Sequence, residues 1–439
     1  MITRLARRLP FFYGWVVVAV AFVTMAIAVN ARTAFSLFYP PLLDEFGWDS
    51  AQTAGAFSFG FLISALASPV TGRIADRWGP LPILQGGVLM IGVGLIIASV
   101  SGSLWQIYLS LGLMIGVGSV CVGYSGQGLF LPAWFVRRRG LALSIAFAGA
   151  GAGSILILPV LQVLIDSDGW RTASLSLGVV ALIVLVPLNL LVPRGPAAIG
   201  LKPDGDHDPA PGQTARKSLR IVDPVWAATD WTLARALRTS RFWWLALGYA
   251  SALYAWYAVQ VHQTRYLVEV GFDSKTAAWA LGWVSLIGVP GQIALGWMSD
   301  RVGREIVWTI GCLGFAACYG LLILIGHHPH PGWLVLMIIA QGLLGYGITS
   351  VYGAIPVEIF EGRSYGLIYG VLMVATIGGG ALGPWVTGWL RDGTGDYQSG
   401  FALAAVISLI SAIAIARASP GRIRSVTGGA AEADESRGP

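Results

Sequence analysis

Charge is scarce in this sequence: Asp, Glu, Lys and Arg make up 11% of its 439 residues, while 55% are hydrophobic. A soluble domain carries roughly 25% charged residues, so the chain lacks the polar material to cover a water-facing surface. Acidic residues are missing from the depth of every apolar block, with Glu269 and Glu358 standing near block ends. A carboxylate inside a membrane is costly and is retained for a cationic cargo or a proton relay; its absence argues against both. Cysteine is equally sparse. Cys121, Cys312 and Cys318 show no metal-ligand spacing, are expected to be small packing residues, and specify no redox compartment. No Ser/His/Asp or metal-ligand constellation stands out. The chain is therefore not expected to be an enzyme, and no cofactor and no metal site are expected.

The apolar residues come in blocks long enough to cross a bilayer, which takes about 20 residues at 1.5 Å rise each. Twelve are predicted: 12–42, 51–71, 81–101, 105–133, 141–165, 172–192, 242–268, 276–298, 306–326, 333–356, 367–390 and 400–418. The first is too long for a signal-peptide core and has no small-residue cleavage site, so it is expected to be retained. The 58 glycines scattered along the blocks, such as Gly118, Gly123, Gly126 and Gly128, point to close helix packing. Gly378-Gly-Gly380-Ala-Leu-Gly383 has the spacing of a nucleotide loop but lies inside an apolar block with no strand before it. Packing and a hinge beside Pro384 are expected there, and likewise at Gly149, Gly151, Gly153 and Pro159. His327, His328 and His330 read as a solvated outer loop.

An even number of spans leaves both termini on one side. All but five of the 28 Lys and Arg fall on that side, among them Arg4, Arg7 and Arg8; the exceptions are Arg32, Arg171, Arg265, Lys275 and Arg391. The positive-inside rule puts this side in the cytoplasm of a cell whose inner membrane the chain spans. The net charge of +6 is thus a topology signal, and no nucleic acid partner is implied. Trp15, Trp48, Trp105, Trp134, Trp170 and Trp333 stand at block ends, where an aromatic belt is expected.

The chain also repeats itself. Gly72-Arg-Ile-Ala-Asp76-Arg77-Trp-Gly79 and Gly296-Trp-Met-Ser-Asp300-Arg301-Val-Gly303 stand 224 residues apart, and so do Gly47-Trp-Asp49-Ser50 and Gly271-Phe-Asp273-Ser274. Pro132, Trp134-Phe135 and Gly140-Leu141 are echoed by Pro356, Ile359-Phe360 and Gly366-Leu367. Duplicated halves joined by a long connector mark secondary transporters. The expected division is a six-helix half at 1–192, a cytoplasmic linker at 193–241, a second half at 242–418 and a disordered tail at 419–439. Within the linker, the Pro203–Gly212 composition predicts disorder. Asp230-Trp231-Thr-Leu233-Ala-Arg235-Ala-Leu237-Arg238 predicts an amphipathic helix on the inner leaflet, capped by Asp230.

The repeated GxxxDRxG turn resembles the signature loop of the major facilitator superfamily, and the resemblance covers nearly the whole chain. It implies an all-α polytopic membrane protein with twelve transmembrane helices in two pseudo-symmetric six-helix bundles. Gly79 and Gly303 suit a tight turn, and Asp76 and Asp300 stand where a carboxylate meets Arg77, Arg301 or a neighbouring helix N-terminus. In the family this cluster is a cytoplasmic latch, which here assigns Gly72, Asp76, Arg77, Gly79, Gly296, Asp300, Arg301 and Gly303 to it. Phe12-Tyr13-Gly14-Trp15, Trp134-Phe135 with Arg138-Arg139-Gly140-Leu141, and Gly169-Trp170-Arg171 resemble the bacterial monocarboxylate carriers and oxalate–formate exchangers. One departure concerns the ligand. Those carriers place a carboxylate-binding arginine where this chain has Gln292, and the exchangers use a lysine in helix 11, whereas residues 367–390 contain no Lys or Arg. Either the substrate is not a simple monocarboxylate, or its positive partner has moved.

Ionisable residues within spans are functional candidates by default. Arg32 lies in the first block, with Ser36 and Tyr39 on its face. In the seventh, Ser251, Tyr254, Tyr257, His262, Arg265 and Glu269 fall within roughly 140° of a helical wheel. The resemblance implies that helices 1, 4, 7 and 10 line a central cavity, which adds Tyr124, Gln127, Gln341, Thr349 and Tyr352. The substrate-binding set expected is Arg32, Tyr124, Gln127, His262, Arg265, Gln292 and Tyr352. Its bland alternatives are interfacial snorkelling for the arginines and interhelical hydrogen bonding for the rest. The function expected is transport of a small organic anion, a carboxylate, with a proton through His262 or in exchange for another anion, by a monomer among membrane lipids. Efflux of amphipathic compounds past Tyr254, Trp256, Tyr257, Trp279 and Trp283 is the alternative, and a membrane sensor or enzyme the remote one.

Overall fold

A computed structural model describes residues 8–48, 50–206 and 220–425, together with Thr3 and Ala6. Arg4, Arg7, Asp49, the 209–212 stretch of the linker and the tail beyond residue 425 lie outside the described residues. The fold is all-helical. Among the described residues ten helices are long and apolar enough to cross a membrane. One of them, Arg139–Asn189, is two helices joined at Gly169, where φ is +83°. Ser240–Glu269 is another 30-residue helix whose polar content leaves it outside those ten. Twelve spans result. They are α1 Gly14–Phe46, α2 Ser50–Trp78, α3 Pro80–Ser99, α4 Leu104–Ala133, α5 139–168 and α6 170–189. The remainder are α7 Ser240–Glu269, α8 Ser274–Val302, α9 Arg304–His327, α10 Pro331–Phe360, α11 Tyr365–Thr394 and α12 Gln398–Ala418. The only strands among the described residues are a two-residue ladder, Arg220–Ile221 antiparallel to Arg424–Ser425.

The helices group into two compact units. Unit 1 holds the described residues up to Trp134, Ile145–Asp206 and Gly366–Val374; unit 2 holds Phe135–Ser144, those from 220 to Tyr365, and those from Ala375 onward. The sequence repeat recurs as packing. In unit 1 a Cβ on Gly153 of α5 would strike the Ala26 carbonyl of α1, and in unit 2 one on Gly379 of α11 would strike the Ala250 carbonyl of α7. Gly116 of α4 lies likewise against Gly60 of α2, and Gly342 of α10 against Val284 of α8. Small residues let helix backbones approach where lipid supplies no hydrophobic drive. The Gly378–Gly383 run is such a seam, since Gly383 meets the Tyr254 carbonyl. Both α4 and α10 carry a π-helical stretch, Tyr108–Met114 and Ala340–Gly345.

Three expectations change. Trp134 and Trp170 do not join an aromatic belt: both are buried, and the Trp170 indole donates to Glu45 at 2.7 Å. The front of the linker is ordered, with the Asp204 N–H bonded to the Trp134 carbonyl at 3.0 Å and Gly205 against Phe12. The amphipathic helix expected from Asp230 shrinks to Leu233–Leu237, capped by Thr232 instead of Asp230, and a second short helix, Pro224–Ala228 capped by Asp223, precedes it. Their aromatic residues pack on protein. Trp231 is buried edge-on to Phe360 at the end of α10, and the Trp226 indole donates to the Ile359 carbonyl at 2.8 Å.

Candidate functional site

The repeated turns build two clasps. In unit 1, Asp76 near the end of α2 accepts the backbone N–H groups of Gly366 at 2.7 Å and Leu367 at 2.9 Å, in the first turn of α11. The first turn of a helix has N–H groups without internal partners and a partial positive charge, so a carboxylate there satisfies two donors at once. The approach needs glycine on both sides: a Cβ on Gly72 would overlap the Gly366 carbonyl, and one on Gly366 the Gly72 carbonyl. Gly79 ends the turn at φ +82°, a backbone that side chains disfavour.

Unit 2 repeats the arrangement. Asp300 of α8 accepts Gly140 N–H at 2.8 Å and Leu141 N–H at 2.9 Å, in the first turn of α5. Gly296 and Gly140 are in mutual close contact, and Gly303 turns at φ +103°. Of the partners open to these aspartates, the helix N-terminus is the one each meets in its clasp. Arg77 and Arg301 instead turn to tryptophan rings, Arg77 over Trp78 at 5.0 Å and Arg301 over Trp297 at 3.4 Å.

Unit 2 adds a buried ion cluster that sequence reasoning missed. Arg304, at the start of α9, pairs with Asp300 and, at 3.0 Å, with Glu358 of α10. Arg139 reaches the same Glu358 at 3.6 Å, and all three of Arg139, Arg304 and Glu358 are almost fully buried. The only signal in the sequence was the i,i+4 spacing of Asp300 and Arg304. The topology rule already accounted for Arg139 and Arg304 as loop charges.

The candidates within the spans of unit 1 have separate seats. Arg32 is half-buried; its guanidinium lies 3.8 Å from the Phe61 ring centroid and 3.4 Å from the Ser64 hydroxyl, both on α2. Tyr124 packs edge-on to Phe147 of α5. Gln127 is fully buried and donates to the Val122 carbonyl at 3.0 Å, which lies just before the break in α4 at Gly123. Its Oε1 has no hydrogen-bond partner among the described residues.

In unit 2 each candidate is engaged with its own partner. His262 Nε2 lies 2.9 Å from the Pro384 carbonyl of α11, over the small Gly388. Arg265 is exposed and bonded to Glu269 at 2.8 Å, and Arg391 holds the same carboxylate at 3.0 Å. Glu45 has the matching place in unit 1, 224 residues earlier, and is held by Arg171 at 2.7 Å. Gln292 is buried and donates to the Ser144 carbonyl of α5 at 3.2 Å, so it belongs with the second clasp. Tyr352 is buried, its carbonyl taking the Tyr249 hydroxyl and its ring 4.9 Å from that of Tyr249. The aromatic set does not gather: Trp256 packs on Tyr346 and Phe315, while Trp279 and Trp283 are exposed on α8. Among the described residues no group of three His, Cys, Asp or Glu side chains is placed to hold a metal.

Comparison with known proteins gives a consistent picture. A profile of the Major Facilitator Superfamily matches residues 17–350 and 245–435. The chain is 29% identical over 405 residues to Monocarboxylate transporter 11 of Homo sapiens, covering 90% of this chain and 81% of that protein. It is 27% identical over 403 residues to Monocarboxylate transporter 13 of Bos taurus, covering 90% and 87%. Among solved structures, the proton:xylose symporter XylE superposes with a TM-score of 0.67 at 13% identity, over 92% of this chain and 95% of that one. The E. coli fucose:proton symporter FucP does so with a TM-score of 0.63 at 15% identity, over 92% and 98%. At such identities the solved structures speak for the fold alone.

Proposed function

The chain belongs to the major facilitator superfamily, as a transporter and not an enzyme, and from that premise we propose that it carries a small organic anion, a carboxylate, by alternating access. The observation that carries this reading is the seat of Arg32. A guanidinium is charged at any working pH and offers two parallel donors to a carboxylate. Arg32 stands well inside α1, touching a hydroxyl and two aromatic rings. With Gln292 committed to Ser144, Arg32 is the counter-charge we assign to the substrate, and Gln127, with its open Oε1, a neutral polar contact. The names of the relatives support the same substrate class.

In this proposal residues 1–192 and 242–418 are the moving halves, 193–241 their connector, and the arginine-rich ends face the cytoplasm of the cell whose inner membrane holds the chain. The Asp76 and Asp300 clasps are the cytoplasmic latch, formed and released once per cycle. Movement is either coupled to a proton through His262 or balanced by exchange of a second anion. No observation favours efflux, because the aromatic residues it called for do not line one surface.

The test is uptake of a carboxylate panel into proteoliposomes, with and without a proton gradient, by wild type and Arg32→Gln. Uptake by wild type and its loss in Arg32→Gln is the expected outcome. No uptake of any carboxylate, or normal uptake by the variant, overturns the anion site. Gradient-driven uptake that survives His262→Gln removes the histidine from the proton route.

A further inference from the structure

Beside the second clasp, unit 2 has a cavity of about 310 Å3 that the transport reading does not use, lined by Arg137, Arg138, Leu141, Trp297, Asp300 and Arg301. Its arginines come from the loop before α5 and from the last turn of α8. The carboxylate in its wall, Asp300, is already bonded to two backbone N–H groups and to Arg304. The N-terminus of α5 is closed by the same carboxylate, so any anion here is met by side chains. Arg138 and Arg301 are exposed, and Arg301 is held in place by its stack on Trp297 and a 3.2 Å bond to the Trp297 carbonyl.

The second observation is the surface that leads to this cavity. Trp279, Trp283, Leu286 and Trp297 are exposed along α8, and with Arg301 they fall within about 60° of a helical wheel at 100° per residue. One helix face therefore runs apolar along a span and ends in a tryptophan and then a guanidinium. That order matches a lipid, with acyl chains, interface and headgroup in sequence. Topology alone accounts for arginines at both places. It does not account for their convergence on one cavity at the foot of an exposed apolar stripe.

We propose that this cavity binds the phosphate of an anionic glycerophospholipid of the cytoplasmic leaflet, with the acyl chains lying along the Leu286–Trp297 part of that α8 face, about 16 Å of helix and the depth of one leaflet. Guanidinium groups supply paired donors to phosphate oxygens, and the indole of Trp297 covers the glycerol region. Because Leu141 and Asp300 belong at once to the cavity wall and to the clasp, a bound headgroup would sit directly on the second latch. The site would then report the lipid composition of the inner leaflet to that latch.

The test uses the purified full chain in nonionic detergent, titrated with phosphatidylglycerol or phosphatidylcholine and read by native mass spectrometry. Wild type is expected to retain phosphatidylglycerol in preference to phosphatidylcholine. Arg138→Gln and Arg301→Gln should each weaken that binding about fivefold, the equivalent of one surface arginine beside an anionic lipid. Arg301→Lys should keep most of it, and Arg417→Gln, outside the cavity, all of it. Equal retention of both lipids by wild type, or equal loss from Arg417→Gln, overturns the proposal. Glycerol 3-phosphate matching phosphatidylglycerol in affinity also overturns it and assigns the cavity to soluble phosphates. Thermal melting of each variant separates lost binding from lost folding.

Discussion

The two clasps share one geometry and differ in what surrounds it. In each, an aspartate at the end of a span closes two N–H groups in the first turn of another helix, over a pair of glycines. In unit 2 the aspartate is also tied to Arg304, and through it to Glu358 and Arg139, so that α5, α8, α9 and α10 meet in one buried network. At the repeat offset of 224 residues, Arg304 corresponds to Pro80 and Glu358 to Trp134. Unit 1 therefore has a helix start and a packed indole where unit 2 has an ion cluster. A carboxylate on a helix terminus is held by partial charges, whereas a buried ion network leaves an uncompensated charge whenever one member is lost. On the proposed latch role, the first clasp would part more readily than the second.

The comparison is broken most directly at Glu358. Glu358→Leu takes away the carboxylate that Arg139 and Arg304 share, and is expected to cost about 3–5 kcal/mol, read as a large drop in the melting temperature of the purified protein. Unchanged melting would remove the cluster from the account. Next, Asp300→Asn should cost about 3 kcal/mol and Asp76→Asn about half as much, because only the former also takes one of its two carboxylates from a buried arginine. Asp76→Asn should still lower transport while expression stays intact. Equal destabilisation by the two would erase the difference between the units, and normal transport by Asp76→Asn would end its latch role. Gly72→Ala and Gly296→Ala each force a methyl into backbone or side-chain atoms and should cost on the order of 1 kcal/mol, with transport slowed in both. The smallest effects belong to Arg77→Gln and Arg301→Gln. These arginines lie on exposed tryptophans, and melting should move by the equivalent of about 0.5 kcal/mol or less. A larger loss would return them to the latch itself.

Much of this architecture is legible in the chain. Hydropathy and helical length are local properties, so the number of spans and their repeat follow from residues 12–418 read in order. The glycine seams also follow, since a small residue at a fixed offset marks a close approach. Two misreadings share a cause. Trp134 and Trp170 stand at block ends, where tryptophan meets the interface by rule, yet both are buried by neighbours far along the chain. Asp230 precedes an amphipathic pattern, but Thr232 is the residue whose side chain reaches the third N–H.

The sequence by itself determined that the chain crosses a membrane twelve times in two related halves, and which of its ends carry the arginines. Only the tertiary structure decided which arginines are loop charges and which are buried partners. Arg138 and Arg139 are neighbours in the chain, and the first is exposed while the second is nearly inaccessible. The physical reason is that a charge is counted in sequence but its solvation is not. Whether a guanidinium stays in water or gives up its hydration for Glu358 depends on helices separated from it by more than two hundred residues, and those meet only in the folded protein.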